Sequence, residues 1–575
     1  MKKLLSVLIC FLIFFSSLCT LSITTFANEY GNFTYSVWNG EVQIIGFNRS
    51  ASGAVTIPAT ISGYKVVSIG ERAFSECSGI TSVSIPNTVT EIDDSAFWKC
   101  TSLKSVDLSD GLVFIGFDAF GNCTALENIT VPSGVKTLSG GCFNGCTALK
   151  EFTVPSSVTE LGGGLLSGCT ALETVVIGNG VTEIGNYSFM YCENLKDVTI
   201  GTGVEKIAIN AFYECNSLEE IVIPNNVKAI EGYAFQSCDS LKKVILNNGL
   251  EIIGNDAFND CVALEGIAIP DSVTSIDRSA FYGCSSLASV TLSENLKEIG
   301  IAAFQACYNL LEITIPKSVE TIGGDAFLYC YGLNKVNITD INAWCEIDFY
   351  TEASNPIYHH GNLYLNGELV THVDYSASLE EVKNNTFFNC KSLKSVTIPK
   401  GIKRIGNSAF HNCIALEKVY LPSTVTEIGD TAFKNCTMLK SLALPKALKS
   451  IGWYSLDECV NLKTIWYSGD QADRELIELG PANIEVMKAA KWYYNVCEEH
   501  NLEADVPCPD CPYINGTFTL GDVNGDYAVD TTDLAMLKLS LAGVIEIDGM
   551  GADMDNDGSV DTTDLAMLKL MLAGI

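Results

Sequence analysis

A cysteine returns every 23 residues along most of this chain, at positions 77, 100, 123, 146, 169, 192, 215, 238, 261, 284, 307 and 330, and again at 390, 413, 436 and 459. A fixed period of that length dictates stacking, because one unit cannot bury its own apolar side and finds a core only against its neighbours. The unit reads L-x-x-V-x-I-P-x-x-V-x-x-I-G-x-x-A-F-x-x-C, as in Leu393 to Cys413, LKSVTIPKGIKRIGNSAFHNC. Fourteen of the sixteen units hold Phe three residues before the cysteine, and the other two hold Leu166 and Leu456. Leu195, Val198 and Ile200 illustrate the alternation in L-x-x-V-x-I, which predicts a short strand with one face inward. Strands of successive units then lie about 4.8 Å apart in a parallel sheet, giving an α/β solenoid.

At 20 to 29 residues per unit, this spacing is that of a leucine-rich repeat. The A-F-x-x-C and I-P elements resemble those of the BspA-like leucine-rich-repeat surface proteins of bacteria, over about residues 65 to 466. That resemblance implies extracellular binding or adhesion, with no enzymatic activity in the repeats. The cysteine ladder could be read as a disulfide series or a metal array. However, equivalent positions on adjacent rungs point the same way, whereas a disulfide needs converging Cβ atoms, so buried thiols are expected. The Phe and Ile ladders read as core. Thr130, Thr153, Thr199, Thr291, Thr314 and Thr397, with Val176, Val222 and Ile245, fall in one column on the solvent side. That composition suits a flat binding face and follows equally from β-propensity.

The period breaks between Cys330 and Cys390, where extra residues sit at about 340 to 368. They include Trp344, Phe349, Tyr350, Tyr358, His359, His360 and Tyr364, and Asn366-Gly367 signals a hairpin. Such an insertion either carries binding or packs its aromatics on the solenoid. Cys345 near His359 could be imagined as a thiol nucleophile with its base, but no cysteine-hydrolase signature surrounds them. Repeat units build surface rather than a deep pocket, so no catalytic residue is assigned and the chain is expected not to be an enzyme.

With 35 Lys and Arg against 68 Asp and Glu, the formal net charge is −33, which argues against nucleic acid as a partner. Lys2, Lys3, the apolar run from Leu4 to about Ile23 and the small residues ending at Ala27 predict a signal peptide over 1–27. No later segment is apolar enough to span a membrane, so a secreted, extracellular protein is expected.

Beyond the array, Leu476, Ile477 and Leu479 suggest a short helix capping the last rung. Cys497, His500, Cys508 and Cys511 have the C-x-x-H and C-x-x-C spacing that can close a tetrahedral Zn2+ site, or in an exported protein a disulfide. Residues 522–533 then read D-V-N-G-D-Y-A-V-D-T-T-D, and 553–564 read D-M-D-N-D-G-S-V-D-T-T-D. Each supplies oxygens in the calcium-loop pattern. The first set is Asp522, Asn524, Asp526, Ala528 through its carbonyl, Asp530 and Asp533. The second is Asp553, Asp555, Asp557, Ser559 through its carbonyl, Asp561 and Asp564. Two Ca2+ ions would neutralise carboxylates that otherwise repel one another. Asp at position 12, Tyr527 at the usual glycine and the lack of an entering helix depart from the ordinary EF-hand.

A duplicated loop-then-helix unit of this kind resembles a type I dockerin, a small all-α module that binds cohesin domains of scaffolding proteins. The resemblance implies that Thr531, Thr532, Lys538 and Leu539, with Thr562, Thr563, Lys569 and Leu570, fall at cohesin-contacting positions. The nearly identical helices DLAMLKLSLAG and DLAMLKLMLAG let either half present the same surface.

The expected organisation is a signal peptide (1–27), an N-terminal cap (28–64), the solenoid (65–466), a C-terminal cap and linker (467–515) and the dockerin (516–575). The expected function is a secreted, non-catalytic binding or adhesion protein. Its dockerin would anchor it in a cellulosome-like complex associated with polysaccharide degradation, and its repeats would recognise a protein, a cell surface or a polysaccharide. The alternative is a dockerin-bearing hydrolase with an unrecognised active site.

Overall fold

A computed structural model of the chain describes residues 27–376, 378–494, 531–541 and 562–572. The chain divides into two compact units, Met1–Leu264 and Glu265–Ile575. Both are built from the 23-residue turn. Each turn contributes a longer strand and a two-residue strand, such as Glu220–Val222 and Ala229–Ile230, and each strand pairs in parallel with its counterpart one turn away.

The rest of the turn is a bent arc whose conformation repeats. In all sixteen turns the residues five and one before the cysteine have positive φ, whether or not they are glycine. Tyr233 at 60° and Ser237 at 57° flank Phe235 in this way. A left-handed conformation costs a non-glycine residue about 1–2 kcal/mol. The compensation is a third ladder of backbone hydrogen bonds: Tyr187, Phe189 and Tyr191 donate from nitrogen to Ile209, Ala211 and Tyr213 at 3.0, 2.8 and 2.9 Å.

Inside the turns the phenylalanines stack. In the first unit Phe74, Phe97, Phe120 and Phe143 follow one another at centroid separations of 4.8, 5.0 and 5.4 Å, and Phe189, Phe212 and Phe235 at 5.0 and 5.1 Å. In the second, Phe281, Phe304 and Phe327 do so at 5.4 and 5.6 Å. Leu166 takes the ring's place in one turn and is equally buried.

The periodic cysteines are buried free thiols, as expected for core residues. They also have a bonding role: Cys238 donates its S–H to the carbonyl of Phe212 in the preceding turn at 3.2 Å, and Cys100 to Phe74 at 3.1 Å. A small apolar side chain with one weak donor suits a buried site that faces a carbonyl. Burial pushes the Cys238 thiol up to about 12, away from thiolate chemistry.

The first unit opens with a hairpin, Phe33–Trp38 against Glu41–Phe47. Glu41–Phe47 also pairs in parallel with Tyr64–Ile69, and Phe47 stacks on Phe74 at 4.7 Å, covering the end of the ring ladder.

In the second unit the insertion is itself built into the stack. Asp348–Phe349 extends the short-strand sheet beside Thr321–Ile322, and Leu363–Leu365 extends the long-strand sheet beside Lys335–Ile338. The hairpin expected at Asn366-Gly367 forms, with both residues at positive φ. Helix Ile341–Glu346, capped by Asp340, buries Trp344, whose Nε1 donates to the Thr386 carbonyl at 3.0 Å. Asn355 and Asn389 make similar side-chain bonds across the insertion, replacing the backbone ladder that the longer loop interrupts.

The helix expected around Leu476 to Leu479 lies elsewhere. Glu478–Leu479 is a strand paired with Ser450–Ile451, Leu476 is exposed, and the helical residues are Gln471–Arg474 and Asn483–Ala489. The apolar spacing at 476, 477 and 479 was too short to separate one helical turn from a strand edge. Strand pairing continues past the last periodic cysteine, through Lys491–Tyr493 against Thr464–Tyr467.

Candidate functional site

Two surfaces offer themselves for binding: the open face of the long strands and the carboxy-terminal helix pair. On the strands, the middle residue points into the core and its neighbours point out, so Ile221 is buried between exposed Glu220 and Val222. The threonine column named above is exposed, as are Val176, Val222 and Ile245. Over the first turns this face forms a shallow groove of about 550 Å³ lined by Ser82, Ser84, Ser105, Asp107, Asn128 and Thr130. Cross-turn ion pairs border the face in the first unit: Lys196 to Glu173 at 3.2 Å, Lys242 to Glu219 at 2.8 Å and Lys243 to Glu220 at 2.8 Å. Exposed pairs of this kind add little to stability.

The insertion exposes Tyr350, while Trp344 and Phe349 are buried and Tyr358, His359 and Tyr364 are half-buried. Its aromatics therefore pack largely on the stack. Cys345 is buried, and desolvation pushes its thiol up to about 12, so this residue is not set up as a nucleophile. Burial lowers the affinity of His359 for a proton, with the neighbouring His360 adding to the effect.

The two helices Thr531–Leu541 and Thr562–Leu572 pack through Leu537 and Leu568, both fully buried and 31 residues apart. Leu534, Met536, Leu541, Leu565 and Leu572 close around them. Thr531, Lys538, Thr562, Lys569 and Leu570 are exposed. Nothing is described of the side chains of Thr532, Asp533, Leu539 and Thr563. Met567 and Met571, absent from the sequence-based expectation, are exposed beside Leu570 and complete an i, i+3, i+4 apolar stripe on the second helix. The duplicated sequence drew attention to what the helices share, whereas Met571 stands where the first helix has Ser540.

Asp564, the last residue of the second calcium loop, is 1% exposed at the start of its helix. The remaining calcium-loop positions, from Asp522 to Asp530 and from Asp553 to Asp561, lie outside the described residues, as do Cys497, His500, Cys508, Cys511 and the predicted signal segment before Ala27. Among the described residues no helix is long and apolar enough to cross a membrane.

A family model described as BspA type leucine rich repeat region matches residues 46–172, 113–242, 205–334 and 361–472. A second, type I dockerin, matches residues 520–573. Among solved structures, a leucine-rich repeat protein from Bacteroides ovatus is 26% identical, with 82% of this chain and 100% of that one covered and a TM-score of 0.40. One from T. pallidum is 29% identical over 34% of this chain and 91% of that one, with a TM-score of 0.31. A leucine rich cell surface protein from Faecalibacterium prausnitzii is 24% identical, covering 79% and 97%, with a TM-score of 0.32. No curated protein matches. The repeats cover well over half of the sequence, and the chain belongs to the BspA-type leucine-rich-repeat family, with a type I dockerin domain at residues 520–573.

Proposed function

We propose that this is a secreted, non-catalytic binding protein, held through its dockerin on a cohesin of an extracellular scaffold in a cellulosome-like complex associated with polysaccharide degradation. The carrying observation is the duplicated helix pair. Leu537 and Leu568 bury one another while Thr531, Lys538, Thr562 and Lys569 remain outside at matching positions 31 residues apart. A surface present twice in nearly the same form suits a receptor that can grip either half. The stripe of Met567, Leu570 and Met571 supplies the apolar centre that a stable interface needs.

The donor set fits calcium. All side-chain ligands are carboxylate or amide oxygens, and withdrawing Asp564 from water at the helix start is favourable when a cation balances it. Asp522, Asn524, Asp526, Ala528, Asp530 and Asp533 would hold one ion, and Asp553, Asp555, Asp557, Ser559, Asp561 and Asp564 the other. Calcium supplies charge neutralisation and thereby lets the two helices close. Cys497, His500, Cys508 and Cys511 would form a zinc site or a disulfide before this module.

Titration calorimetry of the full chain against a panel of cohesins, with calcium and with chelator, tests the reading. Pairing with at least one cohesin in calcium and none in chelator is the expected result. Pairing that ignores the chelator, or no pairing at all, contradicts it.

A further inference from the structure

The long-strand face changes its charge along the array. Across the eight turns from Cys77 to Cys238, the ten residues after each cysteine contain five lysines and ten acids. Across the four turns from Cys390 to Cys459, the same ten positions contain seven lysines and one acid, Glu417. In a chain of net charge −33 these forty positions hold six more lysines than acids, with Lys446 paired to Asp473 at 2.8 Å.

The lysines are arranged in register. Lys394, Glu417, Lys440 and Lys463 stack, each bonding through its backbone nitrogen to the residue one turn back, as Lys440 does to Glu417 and Lys463 to Lys440, both at 3.1 Å. In the adjacent column Lys418 stands between Ser395 and Ser441. All four lysines are exposed. Glu417 engages Lys440 at 3.4 Å, and among the described residues no ion pair holds Lys394, Lys418 or Lys463. The first unit, by contrast, sets a glutamate against Lys196, Lys242 and Lys243.

We infer that the long-strand face of these four turns binds a linear uronic-acid polysaccharide laid along the stack. One lysine per turn at a rise of about 4.8 Å matches a polymer that carries one carboxylate per sugar, since a turn is comparable in length to a pyranose residue. Hydroxyls of Ser441 and Thr464 lie in the same strands and suit the sugar hydroxyls, while Ser395 already meets His372 at 2.7 Å and Thr397 bonds Asp374 at the edge of the patch. The protein's overall acidity does not prevent this, because at physiological salt charges are screened beyond about 8 Å and the polymer feels mainly the turns beneath it. The inference rests on the repeats being a binding module and is independent of the dockerin.

Affinity electrophoresis of the full chain in gels containing polygalacturonate, in calcium-free buffer so that the polymer is not cross-linked, tests it. The protein should be retarded there and not in gels of the methyl-esterified polymer, which lacks the charges. Lys418→Glu with Lys463→Glu should weaken retardation about tenfold, whereas Lys196→Glu with Lys242→Glu should leave it unchanged. Lys418→Gln with Lys463→Gln gives a milder loss and serves if the charge reversal disturbs folding. Equal retardation by the esterified polymer, equal competition by polyglutamate, or indifference to the Lys418 and Lys463 changes overturns the inference. Cohesin pairing in calcium, measured separately, is expected to be the same in every variant, so the two readings fail by different signs.

Discussion

The repeats and the dockerin solve the same problem of small-unit stability in opposite ways. A 23-residue turn has too little apolar surface to stand alone, and it recruits the next turn: Phe212 on Phe235 at 5.1 Å, Cys238 onto the Phe212 carbonyl, and three backbone ladders. The helix pair closes over a much smaller core centred on Leu537 and Leu568, and its neighbouring loops are crowded with acids. From Gly516 onward there are 11 acids against Lys538 and Lys569. One region is stabilised by its own neighbours, and on the proposed reading the other is stabilised by calcium. The repeats should therefore be indifferent to calcium and the dockerin governed by it.

The sharpest way to break that contrast is to remove the ligands. Asp522→Ala together with Asp553→Ala should abolish cohesin pairing in calorimetry while leaving the repeats' thermal transition in place. Either change alone should be tolerated in part, because the other half presents the same surface. Loss of the repeat transition in the double variant would tie the two regions together and end the comparison.

Next in size is the ring ladder. Phe235→Ala leaves a hole between Phe212 and Phe258 and should cost about 3–5 kcal/mol, read as a lower denaturant midpoint, with cohesin affinity unchanged. The thiol ladder comes third. Cys238→Ala removes buried volume and the donor to the Phe212 carbonyl, for about 1–2 kcal/mol, and hydrogen exchange should locate the loss in the adjoining turns. Smallest is the surface: Lys242→Ala breaks the 2.8 Å pair to Glu219, yet both side chains are largely exposed, so the denaturant midpoint should stay almost unmoved.

What the sequence made legible follows from what repeats. The period, the inward Phe and Ile ladders, the buried thiols and the exposed threonine column all rest on residue type recurring at a fixed position. Backbone conformation does not have to. Of the 32 left-handed positions, two per turn, 15 hold Gly, Asn or Asp and the others hold residues such as Tyr187, Glu214, Ala302 and Thr431, a bias too partial to signal the third ladder. The insertion was recognised, but not that its strands extend both sheets, because pairing there depends on side chains such as Trp344 and Asn355 reaching the following turn. The carboxy-terminal helix near Leu476 was misplaced for want of a full periodic window. In the dockerin, the buried leucines and outward lysines agree with the helix pattern, while Met571 departs from the duplicated sequence at an exposed position of the stripe.

Hydrogen exchange on the full chain, with calcium and then with chelator, tests the division of labour most directly. Residues 531–541 and 562–572 should be protected in calcium and exchange freely without it, while the turns from Cys77 to Cys459 keep their protection in both. Equal protection of the two helices in chelator, or loss of protection through the repeats, would contradict the account.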